Sequence, residues 1–226
     1  MKKRLGCLHA HHSNIAYIET ALAMHEVELV HYVDSGLMYK MMQDEQFHEV
    51  DALVKVKEHL EWIASCDVDA ILITCTNMIA VLKDEYLILE IPIIKIDEPY
   101  FEVICCEPQP QTLLFTNPAT VTGTIERLQQ YAKYHEKKIN IKIHVIENSF
   151  ELLMQGKKEA YNKAILQFLH ESVHERSIIS VAQLSMVDAA QQFSNASGIS
   201  VTHPLKSLVT AILLEMDGQY FDTIKL

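Results

Sequence analysis

The chain has 226 residues, 49% of them hydrophobic, with only six Gly and six Pro, which is enough to bury a full core and too apolar for a disordered chain. Its formal net charge is -11, and beyond Lys2-Lys3-Arg4 it has no basic block, which works against nucleic-acid or anionic-membrane binding. An anionic ligand must therefore be held by local donors and not by the field of the whole protein.

Five cysteines form an odd set without framework spacing, and the N-terminus has no secretion signal, so a reducing, cytoplasmic setting is expected. The greasiest stretch, Tyr86 to Ile96, is broken by Glu90, Pro92 and Lys95 and falls short of the roughly 18 residues of a membrane span.

Strand and helix signals alternate from the start. Arg4 to Ala10 reads as a first strand, and Ser13 as the N-cap of a helix carrying Ile15, Ile18 and Leu22 at helical spacing. Glu28 to Val33 reads as a second strand, followed by a turn at Asp34-Ser35-Gly36. Leu53, Val56, Leu60 and Ile63 step by three and four residues, the mark of a long amphipathic helix ending near Cys66. The run Ala70-Ile-Leu-Ile-Thr-Cys-Thr-Asn77 reads as a buried parallel strand that delivers Cys75 to its carboxyl end, where open α/β sheets bind ligands. A buried, inert cysteine is the competing reading of the same run. Ile91 to Ile96 is a further apolar run, and Asp97-Glu98-Pro99 reads as a break between two halves.

The second half repeats the pattern. Gln111 to Thr116 is a strand that ends in Asn117-Pro118-Ala119-Thr120, whose proline suits a first helical turn. Ile125, Leu128 and Ala132 mark the next helix; Ile139, Ile141, Ile143 and Val145 alternate as in a strand with one wetter face. A helix with Tyr161, Ile165 and Phe168 leads to an apolar strand, Ser177 to Ala182, ending in Gln183-Leu-Ser-Met186. Ile199 to Thr202 reads as a last short strand, and His203-Pro204 opens a C-terminal helix. Two sets of strand-helix units imply an α/β fold of two doubly wound lobes with mainly parallel sheets, residues 1–97 plus 204–226 and residues 98–203, whose strand ends face a shared cleft.

The ordered set Thr74-Cys-Thr-Asn77, Asn117-Pro-Ala-Thr-Val121, Ala182-Gln-Leu-Ser-Met-Val-Asp188 and Ile199-Ser-Val-Thr-His-Pro204 resembles the aspartate/glutamate/hydantoin racemase superfamily. Leu8-His9 and Val33-Asp-Ser-Gly-Leu37 are also similar to its members, so the likeness spans nearly the whole chain. The resemblance implies two pseudo-symmetric lobes with the active site between them, and a C-terminal helix that returns to the first lobe. It also implies a cofactor-free reaction in which two cysteines work on opposite faces of a carbon next to a carboxylate. Thr76, Asn77, Asn117 and Thr120 match family positions that hold the substrate carboxylate. The enediolate-like species of such a reaction needs preorganised donors, and its base needs a thiolate, which a helix N-terminus favours. Cys75 is accordingly expected to be the most readily alkylated thiol.

Where the family places its second cysteine, this chain has Gln183, whose amide cannot exchange a proton as an acid or base near pH 7. The remaining thiols offer no substitute: Cys7 lies in the first strand, Cys66 ends a helix, and Cys105 and Cys106 follow the break. His203, where many members carry an acidic residue, is a candidate proton donor, with a capping or packing role as the alternative. His9, His11 and His12 form an H-x-H-H pattern that could share a metal with Asp34 and His203, and His170-Glu-Ser-Val-His174 matches the H-E-x-x-H pattern of zinc proteases. Neither is adopted: the second is read as a solvated helix end, and no metal or other cofactor is assigned.

The sequence thus points to a racemase-superfamily protein acting on a small amino acid or related carboxylate. Cys75 is the expected base or nucleophile, and Thr76, Asn77, Asn117, Thr120, Gln183 and Ser185 the expected substrate-binding residues. The alternatives are a one-base lyase or isomerase, a noncatalytic carboxylate-binding protein, and a metal-dependent hydrolase built on the N-terminal histidines. A homo-oligomer is left open.

Overall fold

The structure is a computed structural model and describes residues 2–82, 89–172 and 178–217. The chain divides into two compact units, Met1–Pro99 with Leu208–Leu226 and Tyr100–Ser207. Each unit has its own parallel sheet, so the strand bearing Ala70 and the strand reaching Val181 belong to separate sheets.

The first unit contains β1 (Lys3–His9), α1 (Ser13–Leu22), β2 (Val27–Val33), α2 (Ser35–Gln43), α3 (Glu49–Ala64), β3 (Ala70–Ile73), α4 (Thr76–Val81) and β4 (Ile93–Lys95). Its four strands run parallel in the order β2-β1-β3-β4. Every residue of β3 is buried, as expected of a central parallel strand with both faces covered. Successive side chains of β1 point to opposite faces. A Cβ at Gly6 would collide with Ile63 Cγ2, so the absence of a side chain there lets α3 press against β1. Leu5, Cys7 and His9, all fully buried, point the other way, toward the face on which α1 lies: Asn14 of α1 reaches Thr74 and Glu19 of α1 lies near His31.

The second unit contains most of α5 (Glu98–Cys106), then β5 (Gln111–Phe115), α6 (Val121–Tyr134), β6 (Ile141–Val145), α7 (Ser149–Met154), α8 (Lys158–Ser172), β7 (Ile178–Val181) and α9 (Val187–Ser197). The helix α10 (Pro204–Met216) ends the described chain. The strand order is β6-β5-β7, again parallel. The fully buried β5 shows why helices cover both faces. Leu113 and Phe115 join Tyr100, Phe101, Ile104, Leu128 and Ala132 from α5 and α6 in one core. Leu114 points the other way, into a core built with Tyr161, Ile165 and Leu169 of α8 and Ala189, Ala190 and Phe193 of α9. Burying each such large apolar side chain contributes about 1.5–3 kcal/mol, which selects the two-faced arrangement over a half-open one.

Several local readings are corrected. Asp34 does not sit in a free turn but caps α2, accepting the Leu37 N–H at 2.9 Å, and its carboxylate also takes a 2.7 Å hydrogen bond from His59. The cap position of α1 is His12, with no side-chain cap bond, and Ser13 is the first helical residue. At Asp97-Glu98-Pro99 the two units do divide, after Pro99, but Glu98 and Pro99 already belong to α5. Ile143 of the edge strand β6 is exposed, so that strand does not alternate cleanly. Ile199 to Thr202 forms no strand; Thr202 contributes a single parallel bridge to Ser180.

Candidate active site

Cys75 lies two residues past the end of β3 and is the cap residue of α4, with extended backbone angles of φ -110° and ψ 113°. The backbone N–H groups of Asn77 and Met78 at the start of α4 favour the thiolate, although the sulfur makes no side-chain cap hydrogen bond to them. Burial opposes them and is the stronger effect: the thiol is pushed up from its ordinary value. In this state the S–H points at the Met38 thioether, 3.6 Å away. A ready thiolate is therefore disfavoured in this state, because a six-residue helix supplies too little to offset the desolvation of the half-buried sulfur. Cys7 is pushed up to about 12 by burial, and burial also raises Cys105. Cys106 is exposed and Cys66 half-buried. Thr76 and Asn77, both half-buried, occupy the first two positions of α4.

Behind Cys75, Thr74 is tied to β1. Its hydroxyl donates to the Leu8 carbonyl at 3.2 Å and accepts from Asn14 Nδ2 at 3.2 Å. His9 Nδ1 is 2.9 Å from the same hydroxyl oxygen, and His9 Nε2 is 2.9 Å from His31 Nδ1. His9 is held far below its usual range, at about 4, by burial and by His31. His11 and His12 do not join this pair; their rings lie 4.2 Å apart, and His11 bonds to Ser13.

In the second unit a different set gathers where β5 and β7 end. The Gln183 side-chain oxygen accepts from Thr116 N at 2.8 Å, Thr116 Oγ1 at 2.7 Å and Asn117 N at 3.1 Å. Two backbone donors fix which end of the amide is the oxygen. Its nitrogen then donates to Thr120 Oγ1 at 3.0 Å, and that hydroxyl donates on to the Asn117 carbonyl. Because the Thr116 hydroxyl proton goes to Gln183, Thr116 must accept from Tyr161 Oη at 2.9 Å, and Tyr161 in turn accepts from Ser185 Oγ at 2.7 Å. The chain of protons runs in one direction, Ser185 to Tyr161 to Thr116 to Gln183. Asn117 uses its side-chain oxygen to cap the 3-10 turn Pro118–Thr120 through Ala119 N.

Comparison with solved structures bears on this arrangement. The chain superposes on an aspartate racemase from Picrophilus torridus with a TM-score of 0.71 at 14% identity, over 95% of this chain and 94% of that one. Other matches with the racemase fold include an allantoin racemase from Pseudomonas fluorescens, with a TM-score of 0.62 at 15% identity over 95% and 92% of the two chains. A glutamate racemase from Francisella tularensis, in complex with D-glutamate, matches with a TM-score of 0.65 at 10% identity over 96% and 83%. The chain has the fold of these racemases. No family model matches the chain, and no curated protein matches it.

Within this racemase fold, Cys75, Thr76 and Asn77 lie together at the end of β3, and Asn117, Thr120, Gln183 and Ser185 lie together in the second unit. The sequence reads Gln183 as a substrate-binding residue at the position of a lost acid or base; its amide is taken up by Thr116, Asn117 and Thr120, which it ties to the start of the turn after β7. Sequence reasoning overlooked Thr116 and Tyr161, which read as a strand end and a core position. His203 is half-buried just before α10, and burial with the nearby Lys206 pushes its imidazole below the usual value. A neutral ring at pH 7 is a weak acid, which works against the proton-donor role expected of it. Of the H-E-x-x-H pattern, His170 packs edge-on against Phe193, and His174 lies outside the described residues. Among the described residues no helix is long and apolar enough to cross a membrane.

Proposed function

We propose that the chain is a cofactor-independent, isomerase-like enzyme that moves a proton on a small amino acid or related carboxylate through the thiol of Cys75. The observation that carries this reading is the thiol placed just past the carboxyl end of β3, at the cap position of α4, in a chain with the racemase fold. Thr76 and Asn77, beside it, and Asn117 and Thr120 in the second unit are the proposed ligand donors. Gln183 and Ser185 contribute chiefly by fixing them, since Gln183 spends its amide on Thr116, Asn117 and Thr120, and Ser185 spends its proton on Tyr161.

A second reading, a one-base lyase, is favoured by two specific observations. Gln183 offers no titratable proton, and burial holds Cys75 as the thiol, the form needed to protonate a carbanion left by loss of a carboxylate. In either case one residue handles the proton.

A thermal-shift screen against small amino acids, hydantoins and dicarboxylates, run with alkylation mapping, tests the assignment. A ligand that raises Tm should also protect Cys75 from alkylation, and Cys75→Ser should abolish turnover while retaining binding. Binding with no turnover by the unmodified protein would leave a carboxylate-binding protein; no stabilisation by any of the three classes and no protection would overturn the proposal.

A further inference from the structure

The face of β1 opposite Gly6 carries a set of side chains that the proposed chemistry does not use. Cys7 and His9 alternate on one strand, and Cys7 is the register partner of His31 on the adjacent edge strand β2, so all three point to one face. One ligand-type atom from each, the Cys7 sulfur and a ring nitrogen from each histidine, lies within 4.8 Å of the others. Among the described residues this is the group of three or more such side chains that converges so closely.

The hydrogen bonds around it determine the protons. The Thr74 hydroxyl gives its only proton to the Leu8 carbonyl, so it can only accept from His9, and His9 Nδ1 carries a hydrogen. His9 Nε2 is therefore a lone pair, aimed at His31 Nδ1 at 2.9 Å, and His31 Nδ1 carries the hydrogen between them. That leaves His31 Nε2 as a buried nitrogen without a hydrogen-bond partner, 3.9 Å from the Glu19 carboxylate, lone pair toward anion. The arrangement leaves one nitrogen unsatisfied, and a cation in place of the shared hydrogen would correct it.

We propose that Cys7, His9 and His31 form a zinc site on the first unit, with the Cys7 sulfur, His9 Nε2 and His31 Nδ1 as ligands. A Cys-His-His set suits a borderline-soft divalent ion, with water or a ligand atom completing the tetrahedron. His9 is already oriented as metal-bound histidines are, its other nitrogen donating to Thr74. On binding, the His31 hydrogen moves from Nδ1 to Nε2, where it faces the Glu19 carboxylate 3.9 Å away, an exposed side chain with room to close to hydrogen-bond distance. The Cys7 thiol loses its proton to solvent, so one proton leaves per zinc bound and no electron is transferred. The two nitrogens separate from 2.9 Å to about 3.3 Å, the span set by zinc–nitrogen bonds of about 2.0–2.1 Å. The site does not depend on the role given to Cys75.

The test titrates the full-length, chelator-treated protein with Zn²⁺ and with Co²⁺ as a spectroscopic reporter. One equivalent of Co²⁺ should produce a thiolate-to-metal charge-transfer band in the near ultraviolet, displaced by Zn²⁺, and calorimetry in buffers of different ionisation enthalpy should show one proton released. Cys7→Ser should remove the band, and His31→Gln should weaken Zn²⁺ binding at least about 10-fold. The double variant His11→Ala, His12→Ala should bind as the unmodified protein does. If Cys7→Ser fails to fold, His31→Gln, on the edge strand, decides the matter alone. Absence of the band, or a band and affinity unchanged in His31→Gln, overturns the proposal, as does loss of binding in the His11, His12 double variant.

Discussion

Gln183→Ala tests the reading of Gln183 as a structural tie in the second unit. The substitution deletes acceptors for two backbone N–H groups and the Thr116 hydroxyl, and a donor to Thr120, four bonds between 2.7 and 3.1 Å. At a net of about 0.5–1.5 kcal/mol each, discounted because these groups are only part-buried and water can replace some of the bonds, the loss is about 2–4 kcal/mol. For a chain of this size that lowers Tm by roughly 5–15 °C. Gln183→Glu keeps the acceptor oxygen for three of the four bonds, and the Thr120 hydroxyl can rotate to donate to the carboxylate, so its cost should stay below about 1.5 kcal/mol. Urea titrations of the three proteins, read as shifts in midpoint at unchanged slope, measure the difference. A Gln183→Ala protein within about 0.5 kcal/mol of the unmodified one would refute the network as a support of the fold.

Gly6→Ala should destabilise the first unit by about 1–3 kcal/mol in the same assay, because the new methyl runs into Ile63; an unchanged midpoint would mean that α3 can move away freely. Asp34 is held below its usual value: burial works against this, but the Leu37 N–H and His59 outweigh it. Its stabilising contribution is therefore full above about 3.8 and is lost as pH falls through the lower folded value, and Asp34→Asn should flatten that acid limb of the stability profile. Iodoacetamide at neutral pH should label exposed Cys106 and then Cys66 before Cys75, with Cys75 accelerating only above the ordinary thiol range; early labelling of Cys75 would contradict its burial-raised state.

The alternation of strands and helices was legible because buried parallel strands read as short apolar runs, and β3 and β5 are buried along their whole length. Cys75 was legible because the run that carries it stops abruptly in small polar residues. The helix α2 was hidden: Asp-Ser-Gly reads equally as a turn or as a cap, and only the Leu37 N–H bonded to Asp34 decides between them. The role of Gln183 was hidden because its partners lie 63 to 67 positions earlier, at the end of another strand. The C-x-H spacing of Cys7 and His9 is visible in the sequence, but His31 joins them only through the register of β1 with β2, which no local pattern fixes. The position of Cys75 after a strand was legible, but the environment of its sulfur was not, because that depends on what packs over it, here Met38.

The central claim, that Cys75 handles the proton and Gln183 cannot, is tested most directly in deuterated water by following α-deuterium incorporation and enantiomer ratio together on aspartate, glutamate and simple hydantoins. The account predicts Cys75-dependent exchange with retention, or deuteration of a decarboxylated product, and conversion between enantiomers that is far slower. Fast racemisation by the unmodified protein would contradict it and require a second proton-transferring residue, as would exchange that survives Cys75→Ser.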